Sequence, residues 1–216
     1  MILSAIIPTL DACGGLSACL ASLSEADEIV VADGGSTDAT LTIAQAAGAR
    51  IVTSAPGRGT QLANGAAAAR GDALLFVHAD TRPSPGWRAL AEHHLASSPR
   101  PACFHLKLDD AAWQARLIER AVSLRTRLAG LPYGDQGLLV SRAAYDAAGG
   151  FRPLILMEDV DLIRRLARPV MLTCDAVTSA DRWRRDGWVR RSLRNLTCLS
   201  LWRLGVSPDR ISKIYA

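Results

Sequence analysis

The sequence predicts an α/β domain built on one mixed, mainly parallel sheet with helices on both faces. Three observations carry this. Short apolar runs alternate with helical patterns through the first half of the 216 residues. Those runs are continuously apolar rather than alternating, which suits strands covered on both sides. Glycine, proline and hydroxyl residues cluster where each run ends, as turns into helices require.

The expected strands are Ile2–Ile7, Glu28–Ala32, Arg50–Ser54, Ala73–Val77 and Ala102–Leu108. Between the first four lie helical patterns at Leu16–Leu23, Ala39–Ala47 and Thr60–Arg70, with another at Gly86–Ala96 before the fifth strand. The second half is less regular. Ala111–Leu128 reads as an amphipathic helix, "LPYGDQGLLVS" as a glycine-punctuated loop entering a short apolar stretch, and Arg142–Ala148 and Glu158–Ala167 as helices. "VMLTCDAV" is a late strand, and Trp188–Leu204 a final helix broken by Gly205 and Pro208.

Composition bounds the class. With 49% hydrophobic and 21% charged residues the chain can bury a core, which excludes global disorder. Five scattered cysteines without CxxC spacing point away from a zinc knuckle or a disulfide framework and toward a reducing, cytoplasmic setting. "MILSAIIPTL" lacks a basic leader and already reads as a strand, so a soluble or peripheral protein is expected. The net charge of +4 is uneven: residues 1–180 hold 16 Lys+Arg against 18 Asp+Glu, and residues 181–216 hold 9 against 3. The basic character therefore belongs to the tail. The expected organisation is a domain over 1–180 followed by a basic amphipathic helical segment, 181–216, on or beside it.

Ligands of open α/β sheets sit beyond the carboxyl ends of the strands, so the strand exits are the places to search. "EIVVADGGSTDAT" ends a strand on Asp33, with Gly34 and Gly35 able to take positive φ and Ser36 or Thr37 able to cap the next helix. Asp33 would then stand free to accept hydrogen bonds from a base or ribose; the alternative is that it only folds the turn. In "PGRGTQLANGAAAARGD", glycines flank Arg58 before a helix carrying Asn64, a setting suited to phosphate oxygens. "LLFVHADTRPSPGW" runs an apolar strand into His78, Ala79 and Asp80, where two prolines are expected to stop it. Asp80 is a hard oxygen ligand for Mg²⁺ or Mn²⁺, and His78, two residues earlier on an extended chain, could share the ion or bond a phosphate. "LILMEDVDLIRRL" sets Glu158, Asp159 and Asp161 in a first helical turn, either complementing the helix dipole or offering a carboxylate base. "PYGDQG" presents Asp135 and Gln136 as an acceptor-binding wall or as turn chemistry. The tail arginines either pack with solvated heads, lie on an anionic membrane, or grip a diphosphate.

Taken in order, "SAIIPTL", "EIVVADGGSTDAT", "GRGTQLANGAAAARGD", "FVHADT", "YGDQGLLVSR" and "LMEDVDL" resemble the family 2 glycosyltransferases of GT-A fold. The arginine-rich segment and "GVSPDR" resemble the compact bacterial subgroup called rSAM/selenodomain-associated transferase 2. The resemblance implies a nucleotide-sugar-binding half over 1–110 and an acceptor half over 111–180. It implies a UDP-, GDP- or dTDP-sugar donor held by Pro8, Thr9, Asp33, Gly34, Ser36, Arg58, Asn64, His78, Ala79 and Asp80. Asp80 matches the metal-bearing aspartate of the DxD motif, whose first aspartate is His78 here. Asp159, with Glu158 beside it, matches the "ED" pair that supplies the base in inverting members. The acceptor would be a small or lipid-like hydroxyl compound, with no nucleic acid partner. The competing readings are a nucleotidyltransferase, disfavoured because "PTLDACGGLSACL" carries no Lys or Arg, and a non-enzymatic nucleotide-binding or membrane-docking module.

Overall fold

A computed structural model describes residues 1–215. Its first half is strand–helix alternation: β1 (Leu3–Thr9), α1 (Cys13–Ser22), β2 (Glu28–Asp33), α2 (Thr40–Ala46), β3 (Arg50–Thr53), α3 (Arg58–Ala68) and β4 (Ala73–Phe76). There follow β5 (Thr81–Pro83), α4 (Trp87–Ser97), β6 (Ala102–Leu108), α5 (Trp113–Ala129), a 3₁₀ turn over Gly134–Gln136, β7 (Leu138–Ser141) and α6 (Arg142–Ala147). The chain closes with α7 (Glu158–Arg165), β8 (Val170–Thr178), α8 (Asp181–Asp186), α9 (Trp188–Arg203) and α10 (Pro208–Tyr215). The strands form one sheet in the order β3-β2-β1-β4-β7-β6-β8-β5. The β1–β2, β1–β4, β2–β3 and β6–β8 pairs are parallel, and β4–β7, β6–β7 and β5–β8 are antiparallel.

Successive strand residues serve opposite faces, and both faces are covered. Leu3, Ala5 and Ile7 of β1 join Ala73 and Leu75 of β4, and Val77 just beyond it, in one core. Leu16 and Cys19 of α1, Ala44 of α2 and Trp87 of α4 complete that core. Ile6 of β1, Val30 of β2 and Leu74 and Phe76 of β4 face the other way. They meet Leu62 and Ala66 of α3, Tyr145 of α6, Val160 and Ile163 of α7, Cys198 and Leu199 of α9 and Ile211 of α10. A third cluster joins Leu106 and Leu108 of β6 to Ala115 of α5 and Trp183 of α8. The last three helices thus contribute buried side chains to the same body as the sheet.

Two expectations need correction. The prolines after Asp80 do not stop the chain from pairing: Thr81–Pro83 is a short strand whose register pairs Pro83 with Ala176 of β8. The strand lies at the sheet edge, where a residue without an N–H is tolerated. Pro208 does more than interrupt the final helix; it is the first residue of α10, the helical position where a missing N–H costs nothing.

One close approach locks the two halves together. Gly59 in the first turn of α3 donates its N–H to the carbonyl of Leu154, 3.2 Å away in the segment leading to α7. A Cβ on Gly59 would collide with the Arg152 carbonyl oxygen and stand 2.8 Å from the Leu154 backbone. Gly59→Ala is therefore expected to cost about 1–3 kcal/mol in urea unfolding, as overpacking against rigid backbone does. Gly14→Ala in α1 is the control, since nothing lies within 4 Å of its added Cβ and stability should hold or rise.

Candidate active site

The exits of β1 and β2 are stitched into one turn. The Asp33 carboxylate accepts hydrogen bonds from Thr9 Oγ1 at 2.8 Å, Ser36 Oγ at 2.5 Å, Gly35 N at 2.9 Å and Ser36 N at 2.8 Å. Four donors saturate its lone pairs. Burial raises the carboxyl's pKa, but the bonds from Ser36, Thr9 and Gly35 outweigh that and hold it below its ordinary value. Asp33 therefore does not stand free at the edge as expected; it is the knot of the turn. Nor do Ser36 and Thr37 cap α2, which begins at Thr40. Ser36 is engaged by Asp33, and the Thr37 N–H donates to Asp11 at 2.8 Å. Only Gly35 of the two turn glycines takes positive φ (98°); Gly34 instead leaves room for Gln61, whose amide donates to the carbonyls of Thr9 and Ala32 at 2.6 and 3.0 Å. Asn64 donates to Ser54 Oγ at 3.0 Å.

The fourth exit is a turn rather than extended chain. β4 ends at Phe76, and Thr81 N donates to the His78 carbonyl at 3.0 Å, so His78 and Asp80 are brought together by a bend and not by strand alternation. Gly15 of α1 abuts this bend, its would-be Cβ 3.1 Å from Ala79 O and Asp80 Cα. The His78 ring occupies the space a Cβ on Gly134 would need. Burial, reinforced by the Arg58 and Arg182 charges, holds its pKa well below the ordinary value, so the imidazole is neutral. Asp80 Oδ1 receives hydroxyls of Thr81 at 3.3 Å and Thr178 at 3.4 Å.

The acidic pair enters from α7. Met157, at its N-cap, adopts a left-handed backbone (φ 65°), a conformation that costs an L-residue roughly 1–2 kcal/mol and is kept where a side chain must be aimed. Glu158 is buried and ion-paired through Oε1 with Arg58 of α3 at 3.3 Å. Burial raises its carboxyl pKa to about 7 against the attraction of Arg58. Asp159 is half-buried; its Oδ2 accepts from Gly134 N at 2.8 Å and its Oδ1 from Val160 N at 2.7 Å. Asp161, the third acid, turns away to Arg165 at 2.6 Å and Arg152 at 3.2 Å.

These groups line one cleft of about 790 Å³, measured out to its solvent-open mouth. Arg58, His78, Asp80, Asp135, Glu158 and Asp159 are all on its wall. Pro8, Thr9, Asp33, Gly34, Ser36, Asn64 and Ala79 are not: the first five stand at the β1 and β2 exits, Asn64 on α3 bonds Ser54 beyond β3, and Ala79 lies in the β4 exit bend. Gln136 is corrected outright as an acceptor wall. It is fully buried, accepts from Thr126 Oγ1 at 3.0 Å and donates to the Phe104 carbonyl at 3.1 Å. Asp135 beside it does face the cleft, its pKa raised to about 6 by burial and by Asp159 and Asp80.

Apart from the tail arginines, the far wall comes from residues the sequence did not single out for the site. Trp183 of α8, Asn195 and Cys198 of α9 and Tyr215 of α10 line it, together with Arg182 and Arg191 of the basic tail. Arg191 is buried, paired with Asp186 at 3.3 Å and set 4.4 Å over the Tyr215 ring. Among the described residues, Asp135 Oδ1, Glu158 Oε2, Trp183 Nε1 and Asn195 Oδ1 are buried without a hydrogen-bond partner. Buried polar atoms are ordinarily paired, so four orphans lining one cleft mark it as suited to a polar ligand.

Residues 4–99 match the family model described as Glycosyl transferase family 2. A glucosyl-3-phosphoglycerate synthase of Mycolicibacterium paratuberculosis is 37% identical in an alignment of 92 residues, which takes in 36% of this chain and 28% of that protein. The matched part is thus little more than a quarter of the relative's length. Among solved structures, the Mycobacterium tuberculosis glucosyl-3-phosphoglycerate synthase with Mn²⁺, UDP and glucosyl-3-phosphoglycerate is similar at TM-score 0.62 and 21% identity, over 95% of this chain and 80% of that one. The same enzyme with Mg²⁺ and UDP matches at TM-score 0.62 and 22% identity, with the same coverage. The matched segment opens a GT-A fold that continues beyond residue 99 through the eight-stranded sheet.

Glu158 gives the cleft a measurable pH signature. Its proton is retained in the folded protein between its ordinary value of 4.5 and about 7, where the unfolded chain has lost it. Stability contributed this way is present at low pH and lost as pH rises through that window. Thermal melts of the ligand-free protein from about pH 5 to pH 8 should fall, and Glu158→Gln should flatten the decline. A slope unchanged in the variant would place the titration elsewhere.

Proposed function

We propose that the protein transfers a sugar from a nucleotide-diphospho-sugar to a hydroxyl acceptor with inversion at the anomeric carbon. One observation carries the reading: Asp80 from the β4 exit and Asp159 from the start of α7 open into a single cleft beside Arg58. In the proposed reaction the acceptor oxygen attacks the anomeric carbon while the bond to the diphosphate breaks. The bonding pair leaves on the phosphate oxygen, and the hydroxyl proton passes to Asp159. Asp159 suits this role better than Glu158: it is half-buried and oriented by Gly134 N, whereas Glu158 is fully enclosed against Arg58. Glu158 instead positions Arg58, whose guanidinium faces the same cleft and complements the departing diphosphate.

The residues fit a divalent cation, Mn²⁺ or Mg²⁺. Asp80 keeps Oδ2 without a hydrogen bond among the described residues, and neutral His78 offers a ring nitrogen as donor. Among the described residues there is no group of three or more His, Cys, Asp or Glu that could hold a metal. Asp80 with His78 would therefore hold an ion whose remaining ligands are phosphate and water, the usual Mg²⁺ arrangement. Such an ion supplies charge stabilisation to the leaving diphosphate. The mycobacterial structures with UDP and Mn²⁺ favour a UDP-sugar as donor, and their phosphoglycerate ligands favour an acceptor bearing an acidic group, for which Arg182 on the cleft wall is placed. The arginine-rich tail and "GVSPDR" support the rSAM/selenodomain-associated subgroup.

Titration calorimetry with UDP and Mn²⁺ tests the donor side: Asp80→Ala should remove metal-dependent affinity, and affinity equal to the parent would overturn the metal role. Turnover of a UDP-sugar tests the base: Asp159→Asn should lower kcat by about 10²–10⁴ with donor binding retained.

A further inference from the structure

We propose that the paired outer faces of α5 and α9 form a docking surface for an anionic lipid bilayer. Each helix is apolar on two opposite sides. The inner side of α5 carries Ala115, Ile118 and Val122 into the core cluster with Trp183. Its outer side exposes Trp113 (71%), Leu117, Leu124 and Leu128, spaced so that they fall on one stripe along the helix. α9 repeats the arrangement. Cys198 and Leu199 are buried, and Val189, Leu193, Leu196 and Leu204 (80% exposed) line the opposite stripe. The two helices contact one another, so their outward residues belong to one region of the surface. Large apolar side chains concentrated this way on solvent-facing helix stripes mark an interaction site.

Charge decides the occupant. Arg120 and Arg127 flank the α5 stripe, and Arg190 and Arg203 flank that of α9; all four are exposed. No carboxylate pairs with any of them among the described residues. The acids nearby are already engaged. Glu119 is held by Arg116 at 2.8 Å and by Leu108 N, and Asp186 by Arg185 and Arg191. A second copy of the chain brought onto this face by a two-fold axis would set arginines against arginines, with these acids already committed elsewhere. An anionic bilayer answers both features, taking the leucine and tryptophan side chains at the acyl boundary and the arginines at its phosphates. No helix among the described residues is long and apolar enough to cross a membrane, so the attachment would be peripheral. The inner side of α9 lines the cleft with Arg191 and Asn195, so the docked surface would back directly onto the site. The docking does not depend on the chemistry proposed for that site.

Sedimentation of the full chain with vesicles tests it, using phosphatidylglycerol mixed into phosphatidylcholine against phosphatidylcholine alone. The protein should pellet with the anionic vesicles. The pair Leu117→Asn and Leu193→Asn, or the pair Arg120→Gln and Arg190→Gln, should each weaken partitioning by about tenfold. Melting temperature and UDP affinity should stay at parent values, because these side chains point away from core and cleft. Failure to pellet with anionic vesicles would overturn the proposal, as would equal binding to both compositions. So would a dimer in light scattering that the leucine pair converts to monomer.

Discussion

The contact on which the rest of the site depends is the Arg58–Glu158 ion pair. Arg58 opens α3 in the first half of the chain, and Glu158 opens α7 a hundred residues later. Glu158 is almost fully buried, and one of its two oxygens has no hydrogen-bond partner among the described residues. Removing one member of such a pair strands the other in a poor solvent, which is why breaking it costs far more than the pair contributes. Gly59 adds a second tie at the same junction through Leu154. The junction sets α7 relative to the β4 exit, and Asp159 is aimed from α7 by its bond with Gly134. Asp80 and Asp159 can share a cleft because α3 and α7 are clasped here.

The neighbouring edge follows a different logic. At the β1 and β2 exits, polarity is used to make a rigid shelf: Asp33 is saturated by its own turn, Gln61 bridges two strand ends from below, and Asp11 gathers the backbone of Thr37. A shelf so prepared can accept a planar or hydroxylated group without reorganising, which lowers the entropic cost of binding. The cleft beside it is the reverse. Its orphaned polar atoms and its two carboxyls raised toward neutrality are costly arrangements gathered in one place, the pattern expected of a functional site. Rigid satisfaction next to poised dissatisfaction suits the proposed transfer, one side to hold and one side to react.

The tail helices bind these two regions into one body and carry a second surface. α9 is the clearest case of a helix serving three neighbours at once. Leu199 enters the core, Arg191 and Asn195 enter the cleft, and Leu193 and Leu196 face outward. The +6 balance of residues 181–216 is likewise divided: Arg191 is inside with Asp186 and Tyr215, while Arg190 and Arg203 remain outside.

The strand–helix order, the parallel core of the sheet and most of the cleft acids were legible from sequence because they are local. Continuous apolar runs specify buried strands, and chain exits such as "HADT" and "LMEDVDL" show their carboxylates wherever the ends come to rest. What stayed hidden depended on distance along the chain. Asp33 is held mostly by its own turn through Gly35 and Ser36, and its one distant donor, Thr9, is set directly opposite it by β1; whether Gln136 faces a ligand turns on Phe104 and Thr126. The far wall, from Trp183 to Tyr215, has no motif of its own, since any helix surface of suitable shape can close a cleft. Sequence determined which chemical groups this protein carries at its strand ends. Tertiary structure decided which of them are satisfied and which are left waiting, because hydrogen-bond partners far apart in the chain become neighbours only when the sheet is assembled.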